Sequence, residues 1–294
     1  MPSSATNSTP VYFITGISRG FGAELARIAL DRGYRVIGTT RNGKSDIVAK
    51  NQNNFHVLAL DVSQQSECEK VIEKAYQIYH QFDVIINNAG YALSGYFEEF
   101  GDKDIRKQID TNLFGPITII KSVLPYLRKQ RSGHIINVSS IVGVIGYATA
   151  SVYSASKWAL TGLSESLGME LKPFNIQVTS VEPGPFRTDI LENESTRNNR
   201  YISKEDQIAD YDKDRFDMIV HHQKQPGDPV KGSEAIIKLS ELPASERPVH
   251  LLLGNVAFAM RGKNLKDLDE ERLKFADLTN GCDFDQSEAQ NFKL

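Results

Sequence analysis

The sequence predicts an α/β fold in which a doubly wound parallel sheet of about seven strands carries helices on both faces. Short runs rich in valine, isoleucine and aromatic residues alternate with longer segments of helical period, as expected of parallel strands joined by crossover helices. The first of these runs, Val11-Tyr12-Phe13-Ile14, leads into a glycine-rich turn and then a helical segment. A chain of 294 residues is long enough to build one such domain around a large core.

Seven segments have the composition of buried strands. They are residues 11–15, 35–39, 55–60, 84–87, 134–138, 177–181 and 249–253. In a sheet of this kind, ligands bind beyond the carboxyl ends of the strands, at the point where the strand order reverses. Functional residues are therefore expected just after strands.

Charge, cysteine content and hydropathy restrict the function. With 34 basic and 37 acidic side chains the net charge is −3, which predicts no general attraction to nucleic acid. Cys68 and Cys282 are too few for a disulfide framework or a metal site, so we expect no bound metal and a reducing compartment. Residues 1–9 lack the features of a secretory signal and are expected to be a disordered leader. No apolar run is long enough to span a membrane, and we predict a soluble, cytoplasmic protein.

The turn Thr15-Gly16-Ile17-Ser18-Arg19-Gly20-Phe21-Gly22 has the features of a phosphate-binding loop. Glycines allow a tight turn and a close approach of the backbone, and a helix start offers free N–H groups to a pyrophosphate. The same turn also matches Gly-x-Ser-x-Gly, the nucleophile elbow of serine hydrolases, with His221 and His222 among the available partners. An elbow normally follows several earlier strands, which disfavours this alternative.

Tyr153 and Lys157 stand four residues apart in a segment of helical pattern. At this spacing both side chains rise from one face of a helix, and a nearby cation favours the ionised form of a tyrosine hydroxyl. This arrangement suits a general acid. The alternative is a buried tyrosine beside a solvated lysine.

Six motifs in this order resemble the short-chain dehydrogenase/reductase family, in its single-domain branch near the steroid and retinoid dehydrogenases. They are the glycine turn, Asn87-Asn88-Ala89-Gly90, Asn112, Ser140 at 13 positions before Tyr153, the Tyr153/Lys157 pair, and Pro183-Gly184-Pro185-Phe186-Arg187-Thr188. The interval to the tyrosine favours Ser140 over Ser139 as the family's serine.

The resemblance implies a single Rossmann-like catalytic domain over residues 10–294, with a variable substrate lid at about 189–232 and a helical tail at about 255–294. A solvated insertion is the alternative for the lid. The tail is expected to close the pocket or to cover a subunit surface. By resemblance the protein is a homodimer or homotetramer that uses the helices of Asn112 and Tyr153.

The resemblance also assigns roles to the site residues. Tyr153 is the general acid, Lys157 holds the nicotinamide ribose, and Ser140 hydrogen-bonds the carbonyl oxygen. Asn112 relays protons through a water to Lys157, although an asparagine in a helix also serves to satisfy local backbone. The cofactor-binding residues are expected to be Gly16, Ser18, Arg19, Gly20, Phe21, Gly22, Arg41, Asp61, Val62, Asn88, Ala89, Gly90, Tyr153, Lys157, Pro183, Gly184, Phe186 and Thr188.

The charge at the end of the second strand predicts NADPH as the cofactor. Enzymes of this architecture that take NAD place an acid there, whereas an arginine accommodates the 2′-phosphate of NADP. Here Thr40 is followed by Arg41, and Arg19 lies within the glycine turn, so both can bind the phosphate. Two ordinary surface arginines are the alternative. Asp61, expected at the adenine, has the alternative role of a helix cap.

The predicted function is NADPH-dependent reduction of a ketone or aldehyde to an alcohol. Aromatic residues in or near the segments that border the family's pocket suggest a sizeable apolar substrate. They are Phe97, Phe100, Tyr147, Phe186 and Tyr201. A nucleotide-binding regulatory protein without turnover, and the serine hydrolase, are the alternatives.

Overall fold

A seven-stranded, all-parallel sheet forms the centre of the computed structural model. The structure describes residues 9–188 and 224–282. The predicted leader up to residue 8, most of the predicted lid with Tyr201, His221 and His222, and the end of the tail from residue 283 lie outside the described residues. The strand order is β3-β2-β1-β4-β5-β6-β7, which confirms the doubly wound fold.

All seven predicted strands are present, with ends that differ from the prediction by at most two residues. They are β1 (Val11–Thr15), β2 (Arg35–Thr40), β3 (Phe55–Ala59), β4 (Val84–Asn87), β5 (Gly133–Val138), β6 (Ile176–Pro183) and β7 (His250–Leu253). The helices are α1 (Gly20–Asp31), α2 (Gln65–Tyr79), α3 (Asp102–Ile109), α4 (Gly115–Gln130), α5 (Ser151–Glu170), α6 (Pro229–Glu241), α7 (Asn255–Lys274) and the short α8 (Ala276–Asn280). None of these helices is long and apolar enough to cross a membrane.

The strands separate two hydrophobic layers because successive side chains point to opposite faces of a sheet. In β1, Phe13 belongs to the layer under α2 and α4, whereas Tyr12 and Ile14 belong to the layer under α1 and α6. Every residue of β1 is buried. Burial on both faces is why the strands are continuous apolar runs rather than alternating ones.

Two of the boundary differences concern predicted functional segments. The third strand ends at Ala59, so Asp61 lies in the loop that follows it. The predicted lid at 189–232 includes the start of α6, where Asp228 caps the helix by accepting a hydrogen bond from Val230 N at 2.9 Å. Pro229 fits the first helical position because its missing N–H has no partner to lose there. The last part of the segment is thus an ordinary helix start.

Two glycines allow the turn after β1 to lie against the loop after β4. Gly16 has a positive φ of 73°, and a Cβ on it would lie 2.9 Å from Ala89 Cα. A Cβ on Gly22 would lie 2.1 Å from the Gly16 carbonyl oxygen and 2.5 Å from Asn88 Nδ2. Neither position has room for a methyl group.

Replacing Gly22 with alanine is therefore expected to lower the free energy of unfolding by about 3 kcal/mol, the upper part of the usual range for an overpacked site. Urea denaturation followed by circular dichroism measures the change. Gly162→Ala is the matched control, because Gly162 is an exposed position of α5 with nothing within 4 Å of a Cβ. That substitution is expected to stabilise the protein by about 0.5–1 kcal/mol. Equal effects of the two substitutions would contradict the prediction.

Candidate active site

One cavity of about 720 Å³ lies beyond the carboxyl ends of the strands, where the order reverses between β1 and β4. It collects every predicted site residue except Gly22 and Asn112, which lie behind its wall. The predicted residues that line it are Gly16, Ser18, Arg19, Gly20, Phe21, Arg41, Asp61, Val62, Asn88, Ala89, Gly90, Ser140, Tyr153, Lys157, Pro183, Gly184, Phe186 and Thr188.

The start of α1 forms one wall of the cavity. Arg19 is the N-cap and makes no side-chain hydrogen bond to the first turn, which also contains no acidic residue. Gly20 has a φ of 55°, and the Thr188 side chain lies 3.4 Å from where its Cβ would be. A helix start of this kind presents N–H groups and a positive dipole end, so the wall suits the phosphates of a dinucleotide.

Thr15 joins this turn to the loop after β4. Its Oγ1 accepts hydrogen bonds from the backbone N–H groups of Asn88 and Ala89, both at 3.0 Å. Asn88 Nδ2 donates in return to the carbonyl oxygens of Thr15 at 2.9 Å and Gly16 at 3.0 Å. Asn88 thus fixes the glycine turn with its side chain as well as lining the cavity.

Tyr153 and Lys157 share one face of α5, as their spacing predicts. The Tyr153 ring is 9% exposed and packs on Ala92 and Ala150. Lys157 Nζ lies 5.9 Å from the centre of that ring and donates a 2.7 Å hydrogen bond to the Val138 carbonyl oxygen at the end of β5. The amine is fixed between the tyrosine and the sheet.

Burial weakens the positive charge of Lys157. The side chain is 5% exposed, and desolvation lowers the pKa of Lys157 to about 8. A lysine with this pKa remains mostly protonated at neutral pH and loses its charge in mildly alkaline solution. The cation predicted beside Tyr153 is therefore present at neutral pH, and its burial removes it from water.

The two serines after β5 point in different directions. Ser139 Oγ donates to the Lys157 carbonyl oxygen at 3.1 Å and lies 2.8 Å from Thr161 Oγ1, inside the core. Ser140 is half-buried, and its Oγ accepts from Val142 N at 3.3 Å. That contact leaves the Ser140 hydroxyl proton for a ligand.

Asn112 lies in a π-turn, Asp110–Phe114, between α3 and α4, and its side chain is fully buried. Its Oδ1 accepts from Tyr91 N at 3.1 Å, and its Nδ2 donates to Tyr91 O at 2.8 Å. Its Nδ2 also donates to Ser156 Oγ at 3.2 Å, so the side chain joins the loop after β4 to α5 rather than satisfying local backbone, the alternative considered for it. The proton relay stays a prediction.

Gln108 is a residue that the sequence analysis missed. Its Nε2 donates to Tyr91 O at 2.7 Å, its Oε1 accepts from Leu93 N at 2.6 Å, and it is fully buried. With Asn112 it fixes the loop that carries Ala92 against Tyr153. The sequence carries no signal for this role, because the burial that obliges Gln108 to find partners is seen only in the folded chain.

Further lining residues come from helices and loops that the motifs did not include. They are Asp104, Lys107, Thr111, Ile141, Val142, Tyr147, Ala150, Lys224, Gln225, Val256 and Met260, among others.

The end of the cavity beside β2 is bordered by Arg41, which follows β2 and is exposed, and by the half-buried Arg19. β2 ends in Thr39 and Thr40, and Thr40 Oγ1 bonds within its own loop to Lys44 O at 3.0 Å. Asp61 Oδ1 accepts a hydrogen bond from Ser63 N at 3.0 Å and so closes a turn ahead of α2. The N-cap of α2 is Gln64, so Asp61 is not the helix cap.

The predicted aromatic residues divide into three groups. Tyr147 and Phe186 line the cavity. Phe97 is 65% exposed and Phe100 packs against Leu93 and Val152, so neither of them lines it. Tyr201 lies outside the described residues.

Comparison with known protein families decides what kind of protein this is. The family model for short chain dehydrogenases matches residues 10–199. The chain belongs to the short-chain dehydrogenase family. The resemblance predicted from the six motifs is thereby confirmed, and the protein is an oxidoreductase by family. The hydrolase alternative has no support in the described residues, since none of their histidines lines the cavity.

Individual relatives align with this short-chain dehydrogenase over most of its length. The chain is 32% identical over 266 residues to 3-ketodihydrosphingosine reductase of Bacteroides thetaiotaomicron, covering 90% of this chain and 96% of the relative. A solved short-chain dehydrogenase from Streptomyces avermitilis superposes with a TM-score of 0.81 at 31% identity, covering 95% of this chain and all of the other. The structure of ElxO with NADP bound gives a TM-score of 0.68 at 25% identity, covering 83% and 96%.

Proposed function

We propose that this short-chain dehydrogenase reduces an apolar ketone or aldehyde to an alcohol with NADPH, and that Tyr153 is the general acid. The observation that carries the proposal is the position of Tyr153 and the buried Lys157 amine in the same cavity as the open start of α1. One end of the cavity suits phosphates, and the other offers a phenol beside a cation. A dinucleotide bound between them brings its nicotinamide to the phenol.

Each residue has a role that its surroundings support. When bound, the reduced nicotinamide supplies a hydride to the carbonyl carbon. Tyr153 gives its proton to the oxygen that becomes negative, and Ser140 donates a hydrogen bond to the same oxygen. Lys157 holds the nicotinamide ribose and stabilises negative charge on the phenol oxygen. Thr188, beside Gly20, is placed to hold the cofactor against the glycine turn.

The cavity's charged residues favour NADPH over NADH. Arg41 and Arg19 both line it, and the end of β2 offers no acid to bind a free ribose 2′-hydroxyl. An arginine pair suits a phosphate because guanidinium groups donate parallel charge-assisted hydrogen bonds. The likeness to ElxO, which is solved with NADP bound, supports the same choice.

Replacing Arg41 with aspartate is expected to raise the dissociation constant of NADPH by about 100-fold and to change that of NADH much less. The substitution removes a donor and places an acid where only NADPH has a phosphate. Fluorescence titration of each cofactor measures both constants. Arg27→Asp makes the same charge change on the exposed face of α1, away from the cavity, and controls for long-range charge. Equal losses for both cofactors in the Arg41 variant would refute the NADPH assignment.

The substrate end of the cavity is apolar. Its apolar lining residues include Ile141, Val142, Ala150, Val256 and Met260, and of these Val142 and Ala150 pack with Tyr153. Such a surface favours a ketone with a substantial hydrocarbon part. Because a relative over nearly the whole chain is a 3-ketodihydrosphingosine reductase, ketones on long alkyl chains are the first substrates to try.

The overall proposal is tested by loss of NADPH absorbance with a panel of short, cyclic and long-chain ketones and aldehydes, run beside an ester-hydrolysis assay. We expect NADPH oxidation that depends on the carbonyl compound, and no ester hydrolysis above background. Tight NADPH binding with no turnover on any carbonyl compound would favour a regulatory protein instead.

A further inference from the structure

Helix α7 leaves the body of the protein after its first two turns. Ala257 is buried, Val256 and Met260 line the cavity, and Arg261 donates to the Val144 carbonyl oxygen at 2.9 Å. From residue 265 to residue 275 every side chain is exposed. This stretch is about 11 residues long, and a helix of that length is marginal in water unless something packs against it.

An apolar stripe runs along α7 from Phe258 to the C-cap residue Phe275. Phe258 is 74% exposed, Leu265 51%, Leu268 46% and Phe275 49%. These residues, with Arg261 and Arg272 between them, follow spacings of 3, 4, 3, 4 and 3, which keeps them on one side of a helix. We call these six residues the α7 stripe.

The α7 stripe reads the same in both directions. In the order Phe258, Arg261, Leu265, Leu268, Arg272, Phe275, each residue has an identical or similar counterpart at the same distance from the midpoint between residues 266 and 267. Two copies aligned antiparallel about that midpoint would place Leu265 opposite Leu268 of the second copy and Phe258 opposite Phe275. A twofold axis sets the same surface patch of the two copies together, and in this register leucine meets leucine and phenylalanine meets phenylalanine.

The charges around the stripe are complementary in the same alignment. Residues 261–266 contain Arg261, Lys263 and Lys266 and no acid, whereas residues 267–274 contain four acids and the two bases Arg272 and Lys274, so that Lys263 faces Glu270 and Lys266 faces Asp267. Antiparallel helices set the basic half of one copy beside the acidic half of the other, and parallel helices would set like charges together. The same alignment sets Arg261 opposite Arg272 of the second copy, and Asp269, which accepts hydrogen bonds from Arg272 at 2.7 and 2.9 Å, partly neutralises this like-charge pair.

We propose that two copies of this chain associate through antiparallel pairing of their α7 stripes. The pairing buries the two leucines and two phenylalanines of each copy, which is the burial that the protruding helix lacks within the described residues. This interface is separate from the α4 and α5 surfaces expected from family resemblance. The alternative is that residues 189–223 or 283–294 of the same chain bury the α7 stripe.

Sedimentation equilibrium of the full-length chain over a concentration series tests the interface. The double variant Leu265→Asp, Leu268→Asp is expected to weaken self-association by at least about 100-fold, because each interface loses four leucines and gains four charges. If a second interface makes tetramers, the variant should sediment at half the wild-type mass. Leu273→Asp is the matched control: Leu273 is 59% exposed on the same helix but outside the stripe, and its replacement should leave the mass unchanged. Circular dichroism and NADPH binding verify folding.

A charge exchange tests the orientation. Leu265→Lys alone and Leu268→Asp alone should each weaken the dimer, and the two together should recover at least about ten-fold in affinity, because residue 265 then faces the opposite charge at residue 268 of the second copy. A parallel pair would set lysine against lysine and gain nothing. The proposal is overturned by a wild type that stays monomeric at all concentrations, by a double-aspartate variant with wild-type mass, or by a charge pair that fails to recover association.

Discussion

Replacing Tyr153 with phenylalanine is expected to lower carbonyl-reducing turnover by about 10²- to 10⁴-fold, the range that general acid catalysis contributes. NADPH affinity should stay close to that of the wild type. The ring keeps its volume and its packing on Ala92 and Ala150, and Lys157 Nζ keeps its position 5.9 Å from the ring centre. Only the proton donor is lost. Steady-state kinetics with a saturating ketone, together with a fluorescence titration of NADPH, separates the two effects.

Tyr147→Phe is the control for this result. Tyr147 is a second tyrosine that lines the cavity, and it is 40% exposed. Removing its hydroxyl takes a polar group from the same space without touching α5, so turnover should fall by only a small factor. Similar losses in the two variants would mean that the cavity's polarity, and not a particular phenol, supports the reaction. Wild-type turnover in the Tyr153 variant would end the assignment.

The fold and most of the cavity wall were predictable because both depend on local patterns. Runs such as Val84–Asn87 are too apolar to face water, and the glycines at 16 and 22 stand where a backbone must turn and approach its neighbour. Apolar runs and glycine motifs are local patterns, although the contact that requires Gly16 is with Ala89, far along the chain. They remain visible in the sequence whatever the rest of the chain does.

The supporting residues were not predictable in the same way. Gln108 bonds to backbone 15 and 17 positions earlier, and no local pattern marks that distance. Asn112 was assigned a relay by resemblance, which stays a prediction, whereas the bonds of its side chain to Tyr91 and Ser156 join segments that are far apart in the sequence. Likewise, the sequence pattern of α7 predicts a helix, but only the exposure of residues 265–275 shows that the helix extends away from the rest of the described residues.

Lys157 shows how the same site affects stability. An ammonium group taken out of water favours its neutral form, and burial here lowers the pKa of Lys157 from its ordinary 10.5 to about 8. Between these two values the unfolded chain binds a proton that the folded chain does not. The free energy of unfolding therefore rises with pH in that window, by about 3 kcal/mol in total. Below pH 8 both states are protonated, and the full cost of burying the charge is present.

Lys157→Met should then have two separable effects. Turnover should fall by about 10²- to 10⁴-fold, because the cation beside Tyr153 is gone. In urea denaturation between pH 7.5 and 9.5, the free energy of unfolding of the wild type should rise relative to that of the variant, since methionine cannot titrate. Other titrating groups cancel in the difference between the two proteins. Losing the bond to the Val138 carbonyl oxygen adds an offset that does not depend on pH. If the difference between the two proteins stays constant over this range, Lys157 is not the desolvated cation that the cavity holds. A variant that keeps its turnover would instead remove the lysine from the reaction.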